Sequence, residues 1–234
     1  MSGKHMKERI DNIRKQIHQA ATNCGRNPSE IRLVAVSKTF PAEAVRQAIE
    51  TGIDILGENY IQEAKEKIAL LSSYPVTWHF IGHLQTNKVK YIAPFVSMIH
   101  AVDSLPLLAE IDKQAAKHHR TIPCLLQFHI AQEDTKFGLN LEECDILLSN
   151  PQFGVFKNVE IHGVMGMATY TDNTTQIKQE FKTLATIFHH LKSNYFKDKD
   201  YFTEISMGMT DDYLLAIEEG STLVRIGSAI FGTR

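Results

Sequence analysis

Cysteine, long apolar runs and charge of one sign are what this sequence has little of. Its 234 residues include three cysteines, Cys24, Cys124 and Cys144, an odd number at wide spacing with no CxxC pair. That argues against both a disulfide framework and a structural zinc site, and it fits thiols in a reducing cytoplasm. Apolar runs span only a few residues, so a membrane helix is not expected. The first residues, MSGKHMKERIDNIRKQI, are charged but lead into no apolar h-region, so no secretory signal is visible. A formal charge of -2 gives no reason to expect nucleic acid or anionic membrane as a partner. There is also no GxGxxG after the first strand-like run, which removes the usual support for an open dinucleotide-binding sheet. With no Pro/Gly/Ser-rich linker, low-complexity tract or close repeat, residues 1–234 are expected to form one domain.

What the sequence does contain is a regular alternation. A helical stripe of Ile10, Ile13, Ile17 and Ala20 leads, and Gly25 stops it. Strand-like runs then occur at 32–38, 53–59, 77–83, 97–103, 122–130, 159–167, 202–209 and 221–227. Helical patterns separate them, including PAEAVRQAIETG, TNKVKYIAPF and TTQIKQEFKTLATIFHHLK. Eight strands alternating with helices predict an α/β fold, a single (β/α)8 TIM barrel with an additional N-terminal helix.

In such barrels the active site gathers at the C-terminal ends of the strands. Lys38 closes the first run, RLVAVSK, and reads either as a solvated strand-end lysine or as an amine available for Schiff-base chemistry. The segment ISMGMTDDYLLAIEEGSTLVRIGSAIFG covers the strand-7 and strand-8 ends, where barrels frequently bind phosphate. There Ser206 offers a hydroxyl, and Gly227-Ser228 opens a one-turn helix suited to an anion. Asp211 and Asp212 would repel a phosphate at the preceding helix, leaving the strand-8 helix with Ser206 as the expected cradle. Tight turns and helix-dipole complementation explain the same residues without a ligand. Arg225, among apolar neighbours, needs a carboxylate or a ligand as partner, and its direction is not fixed by a continuous apolar run. Asn59 and His83 either orient a ring or cap loops, and Met165-Gly166-Met167 is a soft wall or a packed strand end. His79, His100 and His162 sit before the strand ends, so packing roles are expected and no metal site is assigned.

These residues, in this order, resemble the pyridoxal phosphate (PLP) homeostasis family, the YggS/PROSC-like PLP-binding proteins. The resemblance rests on LVAVSKT, GENYIQEA, WHFIGHLQTNK, HGVMGMAT, ISMGMTDDYLLAIEEGST and VRIGSAIFG, spread along almost the whole chain. It implies a barrel similar to the N-terminal domain of alanine racemase, of the fold-type III PLP-binding kind. It also implies that Lys38 carries pyridoxal 5'-phosphate covalently, while Ser206, Gly227 and Ser228 hold the phosphate. Arg225 would face the pyridine nitrogen, and Asn59, His83 and Met165 would line the cofactor. One departure is His129, which stands where relatives usually carry asparagine.

The function this resemblance implies is a cytoplasmic PLP carrier or buffer without robust turnover, delivering to PLP-dependent apoenzymes. An always-charged arginine at the ring nitrogen would keep it unprotonated and a weak electron sink. The alternative is a PLP-dependent amino-acid racemase, which needs acids or bases on both faces of the α-carbon. Barrel racemases of this resemblance take the second base from a further β-domain or a partner chain. Since the sequence stops at Arg234, no such domain is expected, and an open-mouthed monomer is.

Overall fold

The computed structural model describes residues 3–132 and 137–232. Eight parallel strands close into a barrel in sequence order. They are β1 (Arg32–Val36), β2 (Ile55–Glu58), β3 (Thr77–Phe80), β4 (Met98–Val102), β5 (Ile122–Phe128), β6 (Val159–Gly166), β7 (Glu204–Ser206) and β8 (Leu223–Ile226). Closure is made by β1 and β8, in the register Val34 to Arg225 and Ala35 to Ile226.

The helices are α1 (Gly3–Asn23), α2 (Ala42–Glu50), α3 (Ile61–Leu70), α4 (Leu105–Lys117), α5 (Leu141–Ser149), α6 (Thr174–Asn194), α7 (Tyr213–Glu218) and α8 (Ser228–Phe231). One predicted helix differs. The stretch TNKVKYIAPF forms a 3-10 helix over Thr86–Tyr91 instead of an α-helix. Pro94 disfavours helical backbone at the residue before it, so the segment packs Val89, Ile92 and Ala93 inward and then stops.

Strand alternation sorts the side chains into two layers. Val34, Ile55, Met98, Leu125, Met165 and Leu223 meet inside the barrel. Their neighbours Ala35, Leu56, Trp78 and Val224 pack outward under the helices. This settles the direction of Arg225: it shares the inward parity of Leu223. Helix α1 buries Ile10, Ile13 and Ile17 against the α2, α7 and α8 side of the barrel. Each such side chain contributes about 1.5–3 kcal/mol. Polar ties also hold that helix, among them Arg9 to the Ile230 carbonyl at 3.4 Å, Arg14 to the Gly52 carbonyl at 2.6 Å and the Tyr213 hydroxyl to Gln16.

All three cysteines are free, with Cys124 and Cys144 buried and Cys24 exposed. Among the described residues no helix is long and apolar enough to cross a membrane.

Candidate functional site

The position of Lys38 is set by a network on the other face of the sheet. Ser37, which follows β1, turns outward and donates its hydroxyl to Glu58 Oε1 at 2.5 Å. From α3, Lys67 Nζ donates to the Ser37 carbonyl at 2.7 Å, to Glu58 Oε1 at 2.6 Å and to Glu63 Oε2 at 3.1 Å. Glu63 Oε2 in turn accepts the Thr39 N–H at 2.6 Å. Lys38 is therefore held between two residues whose backbone groups are anchored, and its side chain is delivered to the barrel mouth. Thr39 adopts φ +67°, a left-handed conformation that costs a non-glycine residue about 1–2 kcal/mol. The clamp holds it there. Burial raises the pKa of the Glu58 carboxyl, against the opposing pull of Lys67 and Ser37. Both partners are almost wholly buried, and Glu58 Oε2 makes no hydrogen bond, so Lys67 and Ser37 support the carboxyl through Oε1 alone.

Above this clamp the mouth opens into a cavity of about 520 Å³. Lys38 and Arg225 line it, together with an apolar wall of Val36, Ile81 and Met167. Asn59, just past β2, forms part of the same lining. Its backbone runs so close to Gly82 that a Cβ there would sit 2.6 Å from the Asn59 carbonyl oxygen. Only glycine permits that approach. The Asn59 Oδ1 atom is buried and makes no hydrogen bond.

Beside Lys38, at the end of the neighbouring strand, Gly227 and Ser228 begin α8, and the first N–H groups of a helix have no partner within it. Thr210 faces them: its hydroxyl accepts from the Gly227 N–H at 3.4 Å and from the Ser228 hydroxyl at 3.2 Å. The loop that carries Thr210 turns at Gly208, φ +91°, where a Cβ would meet the Ala216 side chain at 2.6 Å. Asp212 is tied down in that loop, its Oδ1 accepting the Met209 N–H at 2.6 Å, and burial raises its pKa.

Arg225 is almost wholly buried, which lowers its pKa to about 10, so it stays charged at neutral pH. Its guanidinium donates to the Ser206 hydroxyl at 2.6 Å and to the Gly166 carbonyl at 3.0 Å.

Not every expected site residue lines this cavity. Lys38, Asn59, Arg225, Gly227 and Ser228 do. Ser206 does not: it is fully buried one layer deeper, between Arg225 and His100, so its hydroxyl is committed to the interior. Met165 likewise belongs to the barrel core, and Met167, two residues on with the same parity, takes the wall position. His83 lies in a neighbouring groove of about 600 Å³ that shares only the Asn59-side wall. There it stacks on Phe137 at 4.2 Å. His129 is exposed, its N–H bonded to the Leu139 carbonyl at 3.0 Å. Residues 133–136 of the surrounding stretch lie outside the described residues.

Sequence reasoning passed over Thr210, although its place in the strand-7 loop was a usable signal. It also missed the histidine pair. His79 Nδ1 and His100 Nε2 are 2.9 Å apart, and His100 Nδ1 is 2.9 Å from the Ser206 hydroxyl. Burial drives both rings to the neutral form, pushing the His79 pKa down to about 3 and that of His100 well below its ordinary value. Among the described residues no group of three His, Cys, Asp or Glu side chains could hold a metal ion.

Comparison with known proteins bears on this geometry. The family model described as alanine racemase, N-terminal domain, matches residues 9–234. A curated relative from Escherichia coli K12, named pyridoxal phosphate homeostasis protein, is 37% identical over 95% of this chain and 94% of its own. PipY of Synechococcus elongatus, solved with PLP bound, superimposes with a TM-score of 0.84 at 32% identity, covering 97% of this chain and all of the other. An alanine racemase from Streptomyces lavendulae shares the fold, with a TM-score of 0.71 at 17% identity over 97% of this chain and 58% of its own. With model and relatives matching almost end to end, this chain belongs to the alanine racemase N-terminal-domain family, among the pyridoxal phosphate homeostasis proteins.

Proposed function

We propose that this chain binds pyridoxal 5'-phosphate at the barrel mouth and serves PLP homeostasis as a carrier, without robust turnover. The observation that carries the reading is the convergence of Lys38, Arg225 and the Gly227-Ser228 turn on one cavity. A PLP ligand calls for an amine, an anion site and a partner for the ring nitrogen. The donor set meets all three needs, and Asn59 adds a buried oxygen that lacks a hydrogen-bond partner. When bound, PLP supplies an aldehyde that condenses with amines and a ring that draws electrons from them. Lys38 offers the amine for covalent attachment. The N–H groups of Gly227 and Ser228, with the Thr210 and Ser228 hydroxyls, bind the phosphate. Arg225 presents its guanidinium to the ring nitrogen and, being charged, gives it no proton readily. Ile81 and Met167 exclude water from the ring face.

Racemisation would require a second acid or base held over the opposite face of a substrate. Rim groups with that capacity, Tyr170 and Asp211, are open to solvent. An open-mouthed monomer formed as one domain over 1–234, cytoplasmic and delivering to PLP-dependent apoenzymes, completes the proposal. The test is direct. Purified protein should show visible absorbance that hydroxylamine removes. Borohydride reduction should fix the cofactor on Lys38, and Lys38→Ala should abolish the adduct. Labelling of another lysine would defeat the assignment, and sustained D-isomer formation from a panel of L-amino acids would favour the racemase.

A further inference from the structure

We propose that His100 is a positioning residue for Arg225, acting through Ser206 in a hydrogen-bond relay that runs one way and ends on His79. The relay stands on the barrel interior alone. Only what Arg225 faces rests on the PLP reading above.

The direction follows from counting protons. A guanidinium carries donors only, so in the 2.6 Å contact between Arg225 Nη1 and Ser206 the hydroxyl oxygen accepts. Ser206 then has one proton to place, in a site with no access to solvent. The acceptor in reach is His100 Nδ1, at 2.9 Å. Were that nitrogen protonated instead, the Ser206 hydroxyl would have no acceptor among the described residues. A buried donor left unsatisfied is strongly disfavoured, because it gives up its hydrogen bond to water and gains none. With both rings neutral, His100 therefore carries its proton on Nε2 and donates it to His79 Nδ1 across 2.9 Å. His79, by the same count, is protonated on Nε2.

Each step removes a rotational choice from the one before. The Ser206 hydroxyl cannot turn, because His100 holds its proton. Arg225 is consequently fixed at two points, Ser206 and the Gly166 carbonyl, and the cavity meets a guanidinium in one orientation. No carboxylate takes part in this relay. A carboxylate hydrogen-bonded to Arg225 would compete with a ligand for its charge, whereas a serine held by a neutral imidazole does not.

Histidine NMR on the ligand-free protein provides the first test. Both His79 and His100 should show neutral Nε2–H tautomers; an Nδ1–H or doubly protonated His100 would overturn the relay. The second test compares His100→Leu with His100→Asn. Leucine fills the volume without an acceptor, while the asparagine oxygen lies near the place of Nδ1. His100→Leu should weaken PLP binding about tenfold and shift the visible absorbance maximum, as expected for losing one hydrogen bond's hold on a charged group. His100→Asn should bind within about twofold of wild type, on the same scale of hydrogen-bond energies. Ser206→Ala should match the leucine variant, and combining the two should add nothing. Equal loss in the leucine and asparagine variants, or no loss in either, would overturn the proposal. If His100→Leu does not fold, the histidine tautomers decide, since Ser206 also contacts Arg225 directly. A wild-type protein that takes up no PLP would sink the proposed function but leave the NMR result standing.

Discussion

Two buried polar networks lie on opposite faces of the sheet beneath one cavity, and they differ in charge, reach and task. The outer one joins Ser37, Glu58, Glu63 and Lys67, all within a short span of sequence, and is ionic. The inner one joins His79, His100, Ser206 and Arg225 across four strands far apart in sequence, and its only charge is Arg225. The outer network fixes backbone: it grips the carbonyl before Lys38 and the N–H after it. The inner network fixes a side chain, by using up rotational freedom one bond at a time. Lys38 is thus held through its main chain, and Arg225 by its head group.

That contrast can be broken most forcefully at Lys67. Lys67→Met leaves Glu58 as an uncompensated buried charge and should cost about 3–5 kcal/mol in urea unfolding. A loss under about 1 kcal/mol would mean that the carboxyl is not charged in the folded protein.

Acid should separate the networks next. The His79 pKa lies near 3 when folded and near 6.5 when unfolded, so the unfolded chain binds the extra proton as pH falls. Stability from keeping that ring neutral is complete above pH 6.5 and declines below it. Between pH 6.5 and pH 4 the decline should be about 3 kcal/mol. His79→Leu should show a curve flatter by that amount, and parallel curves would refute the neutral ring.

The smallest change is Ser37→Ala, which removes one donor from Glu58 while Lys67 keeps its grip on the Ser37 carbonyl. It should cost about 1–2 kcal/mol and leave the Lys38 adduct in place. Loss of the adduct would show that the side chain, more than the carbonyl, aims the lysine.

Much of this was legible in the alternation of runs. Eight strands, the closing helix SAIF and the end position of Lys38 follow from period and punctuation. Parity was not legible for β8, because a strand buried on both faces shows no alternation. Arg225 became inward only once Leu223 and Val224 were seen in different layers. Ser206 misled for a related reason: a hydroxyl at a strand end looks available to a ligand until depth within the barrel is known. The contact between His79 and His100 depends on the register between adjacent strands, which their sequence spacing does not state. Thr210 escaped notice because Gly208 and the two aspartates around it invite a reading as turn and helix start.

The pairing of β1 with β8 also has a consequence for the order in which the protein is made. Lys38 emerges early, just past a strand whose partner β8, with Arg225 and the Gly227-Ser228 turn beyond it, comes late in the sequence. During synthesis β1 can pair with β2, but its other edge waits unpaired for β8. Such an edge is a template for wrong partners, and domains with distant pairings fold slowly. The early α1, which packs beside α7 and α8 in the finished protein, waits for the same elements. The nascent chain thus carries Lys38 for most of translation before the Gly227-Ser228 turn exists, and the cavity that the two line forms only when the barrel shuts.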